Sequence, residues 1–246
     1  MKDIFFDLDD TIFDFKKAEA IAMKTTLEHY GIEPTQDVIH LYSVINQSQW
    51  ELLEKKLLTK NEVKIRRFKL FLDALMHTAK PEEVAAFYEN RLSIGHYFIE
   101  GAEEMLRALH GAYRLHLVSN GVYEVAMSRL NSSTIVPLFD HIFISGALGV
   151  DKPAKEFFDA CFAQISDFDP AQAVIVGDSL TSDILGGKNA GITTIWFNPH
   201  QKSATSIIPD YEINNLGEIE ELLHVVQESS QELHVARFLQ WQRSFP

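Results

Sequence analysis

The chain begins with a short apolar run, Ile4-Phe5-Phe6, that stops in Asp7-Leu8-Asp9-Asp10-Thr11. A continuous apolar run of this length bounded by polar residues predicts a strand buried on both faces, as in a parallel sheet. The pattern then turns helical. Inward positions at Ala18, Ile21, Ala22, Thr25 and Leu27 predict a helix over 15–30, stopped by Gly31. A second helix over 38–57 places Leu41, Val44, Ile45, Leu52 and Leu53 inward, a third runs over 60–76, and Pro81 opens a fourth that reaches about residue 92. No strand signal interrupts this stretch. From Gly101 onward the two periods alternate: helix 102–110, strand 114–118, helix 122–131, strand 141–144, helix 156–164, strand 173–176, helix 182–190, strand 193–197, a short strand at 212–213 and helix 216–226.

Strands alternating with helices predict βαβ units and a parallel sheet. A right-handed crossover between parallel strands commonly takes about 30 residues, yet the first one here runs from Leu8 to Arg114. The excess is too long for a loop and too periodic for disorder. The expected fold class is therefore α/β: a Rossmann-like parallel-sheet core (residues 1–14 and 98–228) with an inserted all-helical cap (15–97) above the carboxyl ends of the strands. Residues 229–246 extend beyond the pattern. Their Phe238-Leu239-Trp241 cluster predicts either a docked helix or a contact surface.

Composition narrows the function. With 46% hydrophobic and 23% charged residues the chain has the balance of an ordinary globular protein. A formal net charge of -13 argues against a nucleic-acid polymer as partner, which demands a basic footprint. A small phosphorylated ligand stays compatible, because a metal and one or two lysines reverse the field locally. Cys161 is the single cysteine, so neither a disulfide framework nor a thiolate zinc site is expected, and the ten histidines show no ligand spacing. No apolar run approaches membrane-spanning length, and a reducing cytoplasm is the expected setting.

The chemistry concentrates at four strand ends, where open α/β sheets bind ligands. The first carries Asp7 and Asp9, two apart and so on one side of an extended chain. Two carboxylates this close suit either a hard metal ion or a division between one ionised and one protonated acid. The second ends in Ser119-Asn120-Gly121, a hydroxyl followed by available backbone N–H groups. Asp151-Lys152-Pro153 lies between the third and fourth, and the fourth ends in Gly177-Asp178-Ser179, with Asp183 five residues after Asp178 at a helix start. Carboxylates, a hydroxyl and a lysine form the inventory of a phosphoryl-transfer site.

In that order these segments resemble the four motifs of the haloacid dehalogenase (HAD) superfamily, and the insertion after the first resembles its helical C1-type caps. Gly149-Val150-Asp151-Lys152-Pro153, the run from Ser182 to Gly191, and Asn46, Trp50 and Arg67-Phe68 in the cap are similar to the bacterial YjjG/YfnB-like pyrimidine 5'-nucleotidases. The resemblance implies a nucleophilic Asp7 that forms an aspartyl-phosphate, and Asp9 as general acid and then base. It implies Mg2+ held by Asp7, Asp178 and the main-chain carbonyl of Asp9, with Asp183 either holding the metal's waters or orienting Lys152. Thr11, Ser119 and the Asn120 amide would bind phosphate, and Lys152 would offset its charge. The acid at position 9 favours a phosphatase over a dehalogenase, whose leaving group needs no proton. Asp10 and Asp14 are expected to be structural.

Trp50 and Phe68 could stack on a base or fill a helical core; Arg67 could face the substrate or pair with a cap glutamate; Asn46 belongs with them. The implied activity is a magnesium-dependent phosphomonoesterase for a nucleoside 5'-monophosphate, with pyrimidine as the base. Alternatives are a phosphatase of another small phosphate, a sugar-phosphate mutase, or a non-catalytic sensor of a phosphorylated ligand.

Overall fold

A computed structural model describes residues 1–204 and 206–226. The elements, in chain order, are β1 (Asp3–Asp7), α1 (Phe15–His29), α2 (Gln36–Glu54), α3 (Lys60–Ala74), α4 (Pro81–Leu92), α5 (Ala102–Leu109), β2 (Arg114–Ser119), α6 (Tyr123–Asn131), β3 (His141–Ile144), α7 (Ser145–Leu148), α8 (Lys155–Phe162), β4 (Ala173–Gly177), α9 (Leu185–Ala190), β5 (Thr193–Phe197) and β6 (Tyr211–Ile213). The strands form one sheet in the order β3-β2-β1-β4-β5-β6, parallel throughout. The chain starts in the middle of this sheet and winds outward to both sides, so β1 is flanked by β2 and β4.

Period-two alternation sorts the strand residues into two layers. Ile4 and Phe6 join Leu115, Leu117, Val174, Val176 and Ile195 against α5 and α6, whereas Phe5 faces Val118, Phe143 and the Phe157-Phe158-Cys161 face of α8. Cys161 is fully buried, and burial pushes its thiol up to about 12, which makes it an inert core residue. A buried carboxylate opens the central strand. Asp3 begins β1 fully buried, and it is tolerated because Arg114 Nη2 (2.6 Å) and His116 Nε2 (2.9 Å) both meet it.

Helices α1 to α4 have an apolar core of their own, built from Ala18, Ala22, Met23, Leu27, Tyr42, Phe68, Phe71, Leu72, Val84 and Tyr88. Two inward faces differ from expectation. Ile21 and Val44 point outward (44% and 52% exposed), while Glu19, Tyr42, Asn46 and Gln49 are buried. The reason is a polar layer between α1 and α2: Glu19 accepts from Ser43 Oγ (2.8 Å) and Asn46 Nδ2 (2.6 Å), and these bonds compensate the burial of groups that an apolar count treats as surface. Phe68 lies in the helical core, 5.1 Å from the Tyr42 ring, and is a packing residue. The expected helix over 182–190 begins with a wider turn, in which Ile184 N–H reaches back five residues to Ser179 O. The Phe238-Leu239-Trp241 cluster and the extension 229–246 lie outside the described residues.

Helix α9 reaches the sheet through glycines. A Cβ on Gly187 would come 2.5 Å from Ile175 Cγ2 on β4, the strand that leads to Asp178, and 2.7 Å from Thr194 Cγ2 on β5. Gly187→Ala is expected to destabilise the fold by about 1–3 kcal/mol through overpacking, read as a lowered urea midpoint with an unchanged slope; an unaltered midpoint would contradict this close approach.

Candidate active site

Parallel pairing in register carries chemistry from distant segments to one edge of the sheet. Asp7 ends β1 opposite Val118, one residue before Ser119 ends β2. Gly177 ends β4, so Asp178 follows on the other flank of β1. Gly177 has no room for a side chain, because a Cβ there would overlap the Asp183 carboxylate that packs across it. The turn after β4 is fixed from the next strand, where Trp196 Nε1 donates to Asp178 O (2.8 Å).

Lys152 is the hub. Its side chain is 1% exposed, and Nζ donates to Asp7 Oδ1 (2.6 Å), Asp183 Oδ1 (2.7 Å) and Val118 O (3.0 Å). Burial opposes its charge, but Asp183 and Asp7 outweigh that penalty and hold the ammonium above its ordinary pKa. Asn120 fastens the loop that carries it. The Asn120 Oδ1 accepts from Lys152 N (2.8 Å), and its Nδ2 donates to Lys152 O (2.8 Å) and Ser182 Oγ (3.3 Å). The Asn120 side chain is thereby committed to the loop, and only its backbone amide is left for a phosphate. Ser119 Oγ accepts from Gly121 N (3.0 Å) and lines the cavity above the strand ends.

Oxygens of Asp7, Asp178 and Asp183 lie within 4.8 Å of one another. Burial, then the Asp183 and Asp178 charges, push Asp7 well above the carboxylate range, with Lys152 opposing. Burial and the Asp183 and Asp10 charges push Asp178 up to about 8. When all three acids are ionised, one ammonium leaves two negative charges uncompensated. An all-oxygen set with that deficit fits a hard divalent cation. Asp183 also accepts from Ser179 N (3.1 Å), so it both orients Lys152 and offers an oxygen to the cluster.

The Asp9 carboxylate is not in that cluster. It lines the cavity and pairs through Oδ1 with Arg129 Nη1 (2.6 Å), an α6 residue the sequence reading missed. Nothing in the local pattern marks Arg129, which reads as an ordinary helix-surface arginine until the packing buries it. Thr11 is fully buried, is not in the cavity wall with Asp7 and Ser119, and has no hydrogen-bond partner at Oγ1 among the described residues. The left-handed turn at Asp10 (φ 61°) carries the chain past the strand end and takes Thr11 out of the wall. Asp10 accepts from Phe15 N and Lys16 N, and Asp14 from Lys17 N, so both cap α1.

From the helical body, Phe15, Trp50, Leu53, Glu54, Arg67, Glu89 and Leu92 close the cavity from above. Arg67 is buried and paired with Glu89 (3.3 Å) while still lining the cavity. Asn46 is behind the wall, its Oδ1 accepting from Trp50 Nε1 (3.0 Å) and Arg67 Nη1 (3.0 Å), so it positions the two residues expected beside it and does not itself reach the cavity. Glu54 and Glu89 had no signal in the sequence beyond being helical glutamates. A further tie crosses from α3 to the sheet body, Lys60 Nζ to Asp151 Oδ1 (2.8 Å) and Ser145 Oγ (2.6 Å). No helix of the described residues is long and apolar enough to cross a membrane.

Comparison with known proteins places the chain in a family. The sequence profile of the haloacid dehalogenase-like hydrolases matches residues 4–197. The chain is 38% identical to the HAD-hydrolase YfnB of Bacillus subtilis, covering 90% of this chain and 95% of that one. It is 35% identical to the pyrimidine 5'-nucleotidase PynA of Streptococcus pneumoniae (86% and 90%) and 29% identical to the pyrimidine 5'-nucleotidase YjjG of Escherichia coli (89% and 96%). A crystal structure of YfnB bound to magnesium, which reveals interdomain movement, superposes with a TM-score of 0.87 over 90% of this chain and 98% of that one.

The raised carboxyls set a pH dependence. Asp7 and Asp178 hold protons more tightly folded than unfolded, so the stability they contribute is complete below the ordinary carboxylate pKa. It is lost as pH rises through the folded-state value, about 8 for Asp178. Without divalent cation the melting temperature is expected to fall between about pH 5 and about pH 9, and the rise produced by magnesium to grow over the same range as cation replaces proton. A magnesium-induced shift that does not grow with pH would contradict a cation site at this cluster.

Proposed function

We propose that this chain, which belongs to the haloacid dehalogenase-like hydrolase family, is a magnesium-dependent phosphomonoesterase that works through an aspartyl-phosphate and acts on pyrimidine nucleoside 5'-monophosphates. The observation that carries the reading is the buried Lys152 shared by Asp7 and Asp183 beside Asp178, with a second acid, Asp9, on the cavity wall. Asp7 and Asp178 would hold magnesium, with Asp183 beside them and the Asp9 main-chain carbonyl as a further oxygen. When bound, the cation draws charge from the phosphoryl oxygens and lets a dianion approach a carboxylate.

The residues divide the remaining work. Lys152 steadies the Asp7 carboxylate through Oδ1. As a bond forms from an Asp7 oxygen to phosphorus and the bond from phosphorus to the leaving oxygen breaks, Asp9 gives its proton to that oxygen. Water then attacks the phosphoryl group, Asp9 takes the proton back, and Asp7 leaves as a carboxylate. Ser119 and the Asn120 amide hold the phosphoryl oxygens, and Lys152 offsets the charge that builds between nucleophile and substrate.

The base preference rests on the names of the relatives PynA and YjjG and on the shape of the wall. Phe15, Trp50, Leu53, Leu92, Val122 and Val125 supply apolar surface for a planar ring, and Arg67 and Glu89 supply a donor and an acceptor deep in it. A sensor without turnover would have no use for a second acid on the cavity wall.

Phosphate release assayed over pyrimidine and purine nucleoside monophosphates and sugar phosphates is expected to favour the pyrimidine nucleotides, to require magnesium, and to fall at least about 1,000-fold in Asp7→Asn. The Asp9→Ala variant is expected to bind a phosphate analogue and to lose turnover. Release that survives Asp7→Asn removes the aspartyl-phosphate, and no release from any substrate favours the sensor.

A further inference from the structure

We infer that Arg129 is a positioning residue that sets the Asp9 carboxylate and ties its placement to the linkers of the helical body. The inference rests on the phosphomonoesterase reading, in which Asp9 moves the proton.

The two linkers run side by side. Phe13 bridges Phe98 in antiparallel fashion, Asp14 N donates to Tyr97 O (2.8 Å), and Ile99 N donates to Ile12 O (2.9 Å). Arg129 comes from α6, in the sheet body, and is 1% exposed. Its Nε donates to Gly95 O (2.7 Å) on the returning linker, and its Nη1 to Asp9 Oδ1 (2.6 Å). The guanidinium lies over Phe13 (5.2 Å) of the outgoing linker and Phe15 (5.8 Å) at the start of α1. One rigid, planar cation therefore touches both linkers and the acid.

Neither contact is easily shed. A buried guanidinium that loses its carboxylate is left uncompensated, and a buried N–H that loses its carbonyl bears the full desolvation penalty. Gly95 is held in turn: a Cβ there would meet Tyr97 Cε2 at 3.1 Å and Ala18 Cβ at 3.3 Å, so the residue whose carbonyl Arg129 reads is packed against α1. The fork thus makes the placement of Asp9 depend on the placement of Gly95 O. The Nη2 donor has no partner among the described residues.

A leaving-group series separates this role from a structural one. Departure of phenolate needs a proton from Asp9, whereas departure of 2,4-dinitrophenolate does not. In Arg129→Met, kcat/KM for phenyl phosphate is expected to fall about 100-fold while that for 2,4-dinitrophenyl phosphate changes less than about threefold. Arg129→Lys keeps the charge but cannot span Asp9 and Gly95 O together, and is expected to show a smaller dependence of the same sense. It serves as the test if the Met variant does not fold. Equal losses on both esters, or no loss on either, would overturn the positioning role. A wild-type protein that hydrolyses neither ester would instead overturn the phosphomonoesterase reading on which it stands.

Discussion

A lysine ammonium buried among carboxylates is the interaction on which the site depends. Lys152 is buried, and its three bonds go to Asp7, Asp183 and the Val118 carbonyl. An isolated cation in that position would be prohibitively costly. Paired as it is, it holds together the ends of β1 and β2 and the turn after β4. It lowers, without cancelling, the mutual repulsion of the acids. The remaining deficit of two charges makes the cluster receptive to a divalent cation, and the raised proton affinity of Asp7 and Asp178 expresses the same deficit before a cation arrives.

The fold supplies the precision this arrangement requires. Parallel pairing brings the ends of β1, β2 and β4 together, because each strand is locked in register with the next. Close approach does the rest. Gly177 leaves space for the Asp183 carboxylate, and Gly187 lets α9 settle onto Ile175 and Thr194. Asn120 spans from the end of β2 to the Lys152 loop with both ends of its amide, so the lysine is set by backbone contacts as well as by charge. Opposite this rigid edge the helical body contributes a wall of apolar side chains around the buried Arg67–Glu89 pair.

Much of this was legible in the sequence. The strands were visible as short apolar runs because buried parallel strands carry no alternation to confuse them with surface, and Asp7, Ser119, Lys152 and Asp178 stood at their ends. Less was legible in the helical body. Apolar counting placed Ile21 and Val44 inward, but α1 and α2 meet through Glu19, Ser43 and Asn46, whose burial is satisfied by bonds to one another and leaves no trace in hydropathy. Thr11 shares a segment with the nucleophile and was expected to share its surroundings, yet one left-handed residue, Asp10, turns it away. Arg129 and Trp196 were illegible for a third reason: each acts on a segment more than fifteen residues away, and only the folded chain brings them within reach.

The most direct test of the buried ammonium as the keystone is the stability of Lys152→Met, which keeps the length of the side chain and removes its charge, measured by thermal unfolding near neutral pH with and without magnesium. The account predicts a loss of about 3–5 kcal/mol in the absence of the cation, because the carboxylates are left uncompensated, and a markedly smaller loss when magnesium occupies the cluster. A variant as stable as the wild type without magnesium, or one destabilised equally in both conditions, would contradict it.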